Sequence, residues 1–300
     1  MNTKSVFSSL ALLLTAMVWG LSFVAQSVGM DSIGPLTFNY ARYFMAFVVL
    51  IPISARRFKS NPLLSQVPDR KTFWKKAAMA GFMCGWSLAV GIIMQQYAIL
   101  TLPVGKVGFL TAFYVILVPI FGLALRQKAR PVVWVCCFAA LIGMYLMCMG
   151  TGRFVLESGD VLGIGSAVLF AVYIIIADHY APYFDGIFLT CVQMLFASFF
   201  CFVPKCIFEP FSLKAIEAGI IPLLYSGIVS SALGTSLEMI AQKNVHPAAA
   251  SLIMSLESVF SLVFGWIILG QRMSAIELSG CLAVFIAVVV SQIPGRRKAA

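Results

Sequence analysis

One glutamate inside a long apolar run is the first position in this sequence where chemistry could happen. Glu257 stands ten residues after Pro247. A helix starting at that proline, rising 1.5 Å per residue, carries the carboxyl about 15 Å inward, half of a hydrocarbon layer about 30 Å thick. Its face also carries Ala250, Met254 and Ser261. A carboxyl there can hold a substrate ammonium or take up and release a proton. It can equally be a structural group bonded to a neighbouring helix. Arg42 is the complementary charge, on a face with Asn39, Tyr43 and Ala46. Its guanidinium suits a substrate carboxylate, but it can also pair with an acid or snorkel to the interface.

Three further groups stand close to apolar runs. Lys106 is followed by Phe109 and Phe113 at helical spacing, which fits an outer vestibule or an interfacial anchor. Glu238 belongs to a stripe of Ser231, Thr235, Glu238 and Gln242, at i, i+4, i+7 and i+11. Such a stripe suits a wet pathway or a helix–helix seam. Asp178 and His179 read as a solvated helix end. Trp19, Ser22, Phe23 and Gln26 share one helical face, and Ser166, Phe170, Tyr173 and Ala177 share another. Aromatic rings with a few polar neighbours fit a pocket for an amphipathic metabolite, or ordinary core packing. Gln95 and Gln193 are intramembrane amides that each need a partner or water. Gly81 and Gly85 read as a close helix-packing step rather than a site. The expected substrate-binding set is therefore Trp19, Phe23, Gln26, Asn39, Arg42, Gln95, Lys106, Phe109, Phe113, Tyr173, Gln193, Glu238 and Glu257. No HExxH, Walker A or GxSxG motif is present. His179 and His246 are too few and too scattered for a metal site, so no metal, cofactor or catalytic residue is expected.

The elements that must position these groups follow from composition. Of 300 residues, 61% are hydrophobic and 11% charged, against about 45–50% and about 25% in soluble domains. So few charges cannot coat a water-facing surface, and lipid must cover most of the exterior. The net charge of +10 does not point to nucleic acid. The basic residues lie in short patches beside apolar runs, as membrane anchors do. Eight cysteines without a CxxC pair read as small buried thiols. The amino-terminal apolar stretch mimics a signal peptide but runs to about Val28, too long for a cleaved h-region.

A spanning helix takes about 20 mostly apolar residues. Ten such stretches are expected, near 6–28, 36–55, 77–100, 103–125 and 131–150, then 159–180, 186–206, 219–241, 247–269 and 274–292. With the amino terminus in the cytoplasm, Lys and Arg concentrate on the inner segments, including a long basic loop near 56–76. Both termini are then cytoplasmic. The fourth and fifth spans match the ninth and tenth at an offset of 144: Pro103 with Pro247, Val115 with Val259, Leu125 with Leu269, Gln127 with Gln271, Cys137 with Cys281, Ala139 with Ala283. Five helices per unit is odd, so a second unit must be inverted relative to the first, the architecture of many secondary transporters.

The run from Leu102 to Pro119 resembles the fourth span of EamA-type members of the drug/metabolite transporter superfamily. Ser255-Leu256-Glu257-Ser258-Val259-Phe260, then Gly265-Trp266 and Leu269-Gly270-Gln271-Arg272, resembles the ninth, and Trp19-Gly20-Leu21-Ser22-Phe23 the first. Two positions depart from that pattern: Ser258 stands where Pro is usual, and Gln271 where Glu is usual. The resemblance implies an all-α integral membrane protein of ten transmembrane helices in two inverted five-helix repeats, residues 1–150 and 151–300. It also implies transport, often export, of small organic metabolites. Taken with the mixed pocket faces, the expectation is a multi-pass transporter of the bacterial cytoplasmic membrane, working by alternating access on amino acids or related zwitterionic solutes. A coupling proton or exchanged solute and a monomer or homodimer complete it. The alternatives are export of drug-like or lipid-like molecules, and a non-transporting membrane receptor or enzyme.

Overall fold

The computed structural model describes residues 3–126, 130–149, 157–271 and 274–291, with side chains left out at 3–5 and 147–149. Lys4, Gln127, Lys128, Cys148, Arg153, Arg272, Arg296, Arg297 and Lys298, which entered the charge, repeat and cysteine readings, lie outside the described residues or side chains. The described elements are helical: α1 Thr3–Met30, α2 Pro35–Arg57, α3 Arg70–Ile99, α4 Val104–Ala112, α5 Tyr114–Ala124, α6 Pro131–Met149 and α7 Ser158–Tyr180. They continue with α8 Gly186–Phe208, α9 Leu213–Ala218, α10 Ile220–Leu224, a π-helical segment Tyr225–Gly234, α11 Thr235–Gln242, α12 Pro247–Met254, α13 Leu256–Leu269 and α14 Ala275–Ser291. Among the described residues, eight stretches are long and apolar enough to cross a membrane, and the apolar stretches Pro131–Leu146 and Ala275–Ser291 are shorter.

Helix ends sit where the local chemistry puts them. Pro35 and Pro247 open helices at positions whose N–H would have no partner anyway. Asp69 caps α3 by accepting the Thr72 N–H at 2.6 Å, and that bond holds its carboxyl below the ordinary aspartate range. The cap starts α3 at Arg70, seven residues before the apolar run. The expected loop near 56–76 is therefore shorter: α2 ends at Arg57, two single 3₁₀ turns follow, and Arg70, Lys71, Lys75 and Lys76 lie on helix.

Three stretches depart from a straight rod. The chain turns between α4 and α5 at Phe113 and between α12 and α13 at Ser255. The second break needs no proline. Ser251, Ser255, Ser258 and Ser261 each turn their hydroxyl back onto the carbonyl three residues earlier, which competes with the helix ladder and bends it. In the π-helical segment, Ser231 Oγ donates to the Ser226 carbonyl at 2.7 Å, filling the wider turn.

In the bundle, α2 packs on α8 and α6 on α14. Helix α3 packs on α7 and α8, while α1 and α2 both pack on the π-helical segment. Helices α4 and α5 lie on α7, and α12 and α13 on α1; α4 also meets α13, and α5 meets α12. The Gly81–Gly85 step does what was expected of it, since a Cβ at either glycine would collide with Val192 or Phe196 of α8. Outward faces carry exposed Phe7, Ile207, Phe208 and Ile267, which suits lipid contact.

Candidate functional site

The bundle holds a partly open cavity near its middle, of about 60 Å³ free volume, room for a few water molecules. Its walls come from α1, α2, α3, the α4–α5 break, α7, the π-helical segment with α11, and α13. The second expected span enters the wall through Arg42 and Tyr43.

Arg42 is 4% exposed. Its Nε donates to Ser231 Oγ at 3.0 Å and its Nη2 to Ser230 Oγ at 3.1 Å, while Nη1 has no partner. The guanidinium also lies 5.4 Å from the Tyr43 ring centroid. The π-helical turn therefore offers Arg42 two hydroxyls rather than a carboxylate. The same segment is held to α1, because Trp19 Nε1 donates to the Ser230 carbonyl at 3.3 Å and Tyr225 OH to the Val18 carbonyl at 2.9 Å.

Two carboxyls stand on the other elements. Glu238 accepts from Tyr173 OH at 3.0 Å and from Gln242 Nε2 at 3.1 Å. Glu257 follows the break at Ser255, and its carboxyl interacts with the Tyr114 hydroxyl. Glycine at position 20 sets this spacing, since a Cβ there would strike Phe260 and the Glu257 carbonyl. Ser22 Oγ and Gln26 Oε1 on α1 are buried without partners. Gln95 Nε2 donates to Thr111 Oγ1 at 3.2 Å and completes the polar wall. Leu88, Ile92, Phe170 and Ile174 make the remainder apolar.

Of the expected binding residues, Trp19, Phe23, Gln26, Arg42, Gln95, Tyr173, Glu238 and Glu257 line this cavity. Five do not. Lys106 instead approaches Asp160 at 2.8 Å, at the start of α7. Phe109 is buried in the core and Phe113 packs against it. Asn39 is fully buried with both amide atoms unpartnered, away from the cavity wall. Gln193 lies one layer behind, donating to Tyr173 OH at 3.3 Å. The cavity also uses Thr111 and Tyr114, which the Lys106–Phe109–Phe113 face did not include; they sit three residues apart on a different face, beside the break. Leu88, Ile92 and Gln95 at i, i+4 and i+7 were a readable stripe.

Among the described residues no group of three or more His, Cys, Asp or Glu is placed to hold a metal ion. The seven described cysteines are free thiols. The lining thus holds an Arg42 Nη1 without a partner and a Glu257 carboxyl beside the Tyr114 phenol.

Comparison with known proteins gives a consistent picture. The EamA-like transporter family matches residues 6–149 and 157–292. A protein of Archaeoglobus fulgidus named an uncharacterized transporter is 24% identical over 293 residues, 96% of this chain and 87% of its own length. The threonine/homoserine exporter RhtA of Salmonella typhimurium is 29% identical over 187 residues, 59% of this chain and 60% of that protein. Its Escherichia coli counterpart matches at 29% over 188 residues. A solved structure described only as the crystal structure of a protein superimposes with a TM-score of 0.77, covering 98% of this chain and 99% of its own, at 15% identity. That last likeness speaks to fold alone.

Proposed function

This chain belongs to the EamA-like transporter family, and from that premise we propose that it exports small zwitterionic metabolites, amino acids and their relatives first, by alternating access. It is a multi-pass membrane protein of that family. We place it in a bacterial cytoplasmic membrane with both termini inside, as the excess of Lys and Arg on the inner segments favours.

The single observation that carries the substrate class is the pairing of opposite, unneutralised ligands in one cavity. Arg42 keeps Nη1 free and faces serines, not Glu238 or Glu257. Glu257 stands beside the Tyr114 phenol, and no Lys or Arg among the described residues forms an ion pair with it. A solute carrying both a carboxylate and an ammonium satisfies both ends at once. An anion alone or a cation alone leaves one buried charge uncompensated, at a cost of several kcal/mol. The exporter name of the RhtA relatives supports the direction and the solute class. Glu238, already engaged by Tyr173 and Gln242, is the second carboxyl, and a proton moving between it and Glu257 is the coupling we favour over exchange of a second solute.

Ten spans in two inverted units, 1–150 and 151–300, complete the reading, with Pro131–Leu146 and Ala275–Ser291 as parts of the fifth and tenth. Several features support it. Number the helical stretches one to ten and exchange each with the one five places on. The neighbour pairs given above map onto one another, 1–9 onto 4–6, 1–8 onto 3–6 and 2–8 onto 3–7. The fourth and ninth stretches both break beside the cavity. The small free volume fits a resting state whose walls must part to admit a solute, as rocking units would allow.

The test is uptake by purified protein in liposomes across a metabolite panel. Neutral zwitterions should be moved and Glu257→Gln should abolish dependence on an imposed pH gradient. A mutant that matches wild type for every solute at every pH contradicts the coupling assignment. The apolar share of the wall, Trp19, Phe23, Leu88, Ile92, Phe170 and Ile174, favours a second reading, export of drug-like or lipid-like molecules. Transport of uncharged amphiphiles in preference to amino acids would select it.

A further inference from the structure

A second concavity lies outside the transport cavity, at the basic end of the bundle. It is a groove of about 430 Å³ between the last turns of α2, the start of α3 and the start of α8. Ile51, Ala55 and Phe58 form one wall, Trp74 a second, and Phe188 with Cys191 the floor. Trp74 stacks on Phe58 with centroids 5.6 Å apart and planes at 19°. Ile51 is 44% exposed and Trp74 49% exposed, so the groove opens sideways rather than into the bundle. Ile51 to Phe58 spans about 10 Å of α2. At the mouth stands Arg70, exposed at the first position of α3. The segment from 56 to 76 holds seven Lys or Arg residues against one acid, Asp69.

We propose that this groove binds an anionic phospholipid, its phosphate at Arg70 and the upper part of an acyl chain along Ile51, Ala55 and Trp74. The position selects that occupant. The apolar walls run along membrane-crossing helices, so their natural neighbour is an acyl chain. The rim is where those helices meet charged sequence, at headgroup depth. A Trp at that level matches an interface with one apolar and one wet side. A local excess of positive charge favours an anionic headgroup over a zwitterionic one. A bound lipid would brace Phe58 and so the end of α2, where Arg57 meets Asp185 at 2.8 Å.

The test is native mass spectrometry of the delipidated full chain titrated with phosphatidylglycerol or phosphatidylcholine, with thermal stability read in parallel. Wild type should retain phosphatidylglycerol at least fivefold better than phosphatidylcholine and gain more thermal stability from it. Arg70→Gln, an exposed change, should lose most of that preference. Ile51→Trp, which fills the groove, should lose retention of both lipids. Lys76→Gln removes one charge of the same segment without touching the groove and should keep the preference. Equal retention of the two lipids by wild type, or an unchanged preference in Arg70→Gln, overturns the proposal. So does an equal loss in Lys76→Gln, which would mean diffuse attraction. The readout is lipid binding, so it stands or falls apart from the transport reading.

Discussion

Arg42 and Arg57 stand on the same helix, about four turns apart, and meet opposite fates. Arg57, half exposed, forks onto Asp185 through Nε and Nη2 at 3.0 and 2.8 Å. Asp185 in turn caps α8 by accepting the Ile187 and Phe188 N–H groups, and its own N–H donates to Asn61 Oδ1 at 2.8 Å. That end of the bundle is tied. Arg42 is buried with two serine hydroxyls, and its Nη1 is unused. The fold supplies a carboxylate to the arginine that water could have solvated and withholds one from the arginine it cannot. The buried charge left open is where the proposed solute carboxylate would sit, whereas buried charge that is closed holds helices together. Lys106 with Asp160 is the closed case: Asp160 is fully buried, is bridged by Lys106, and accepts the Glu157 N–H at 2.7 Å.

The contrast orders the expected effects. Lys106→Met strands the Asp160 carboxylate and should cost about 3–5 kcal/mol of stability, read by denaturant unfolding in mixed micelles. Adding Asp160→Asn should recover most of the loss. A single variant as stable as wild type would mean the pair holds nothing. Arg42→Gln should act the other way round. Transport of zwitterions should fall about 100-fold, roughly 2.7 kcal/mol of lost recognition, while stability holds or rises. If unfolding suffers more than transport, Arg42 is structural and the two arginines are alike after all.

Asp185→Ala removes a cap and a half-exposed ion pair together, for about 1–2 kcal/mol. The thermal midpoint should drop, and solute preference should not change. The smallest effect belongs to Asp69. Its carboxyl titrates lower in the folded chain than in the unfolded one because the Thr72 N–H bonds its charged form. Its stabilisation is therefore present above the ordinary aspartate value of 3.8 and is lost as the pH falls through the lower folded value. The gap in thermal midpoint between wild type and Asp69→Ala should be present at pH 7 and close in that acid range. A gap independent of pH would assign the effect to something other than the carboxylate.

Much of this molecule was legible from its residues, and the limits have physical causes. Eight of the ten expected stretches stand out among the described residues as long apolar helices, most with ends within a few residues, because lipid demands long apolar runs. The start of α3 was missed because Asp69 and the basic turn after it are polar: capping sets the helix end, while hydropathy reports only the buried part. Glu238, Glu257 and Arg42 stood out because a charge in an apolar run is rare. Lys106 stood out for the same reason, yet its neighbour Asp160 is 54 residues away in sequence, and no periodicity along one helix can announce a contact with another. Thr111 and Tyr114 escaped for a local reason. The chain turns at Phe113, so a face projected along one continuous helix points the wrong residues inward.

In the proposed function Arg42 holds the carboxylate of a zwitterionic solute. The direct measurement is competition against transport of a free amino acid in proteoliposomes, by that amino acid and by its methyl ester, for wild type and Arg42→Gln. Wild type should prefer the acid by tenfold or more, and Arg42→Gln should treat acid and ester alike. A variant that keeps the full preference for the acid would contradict the account.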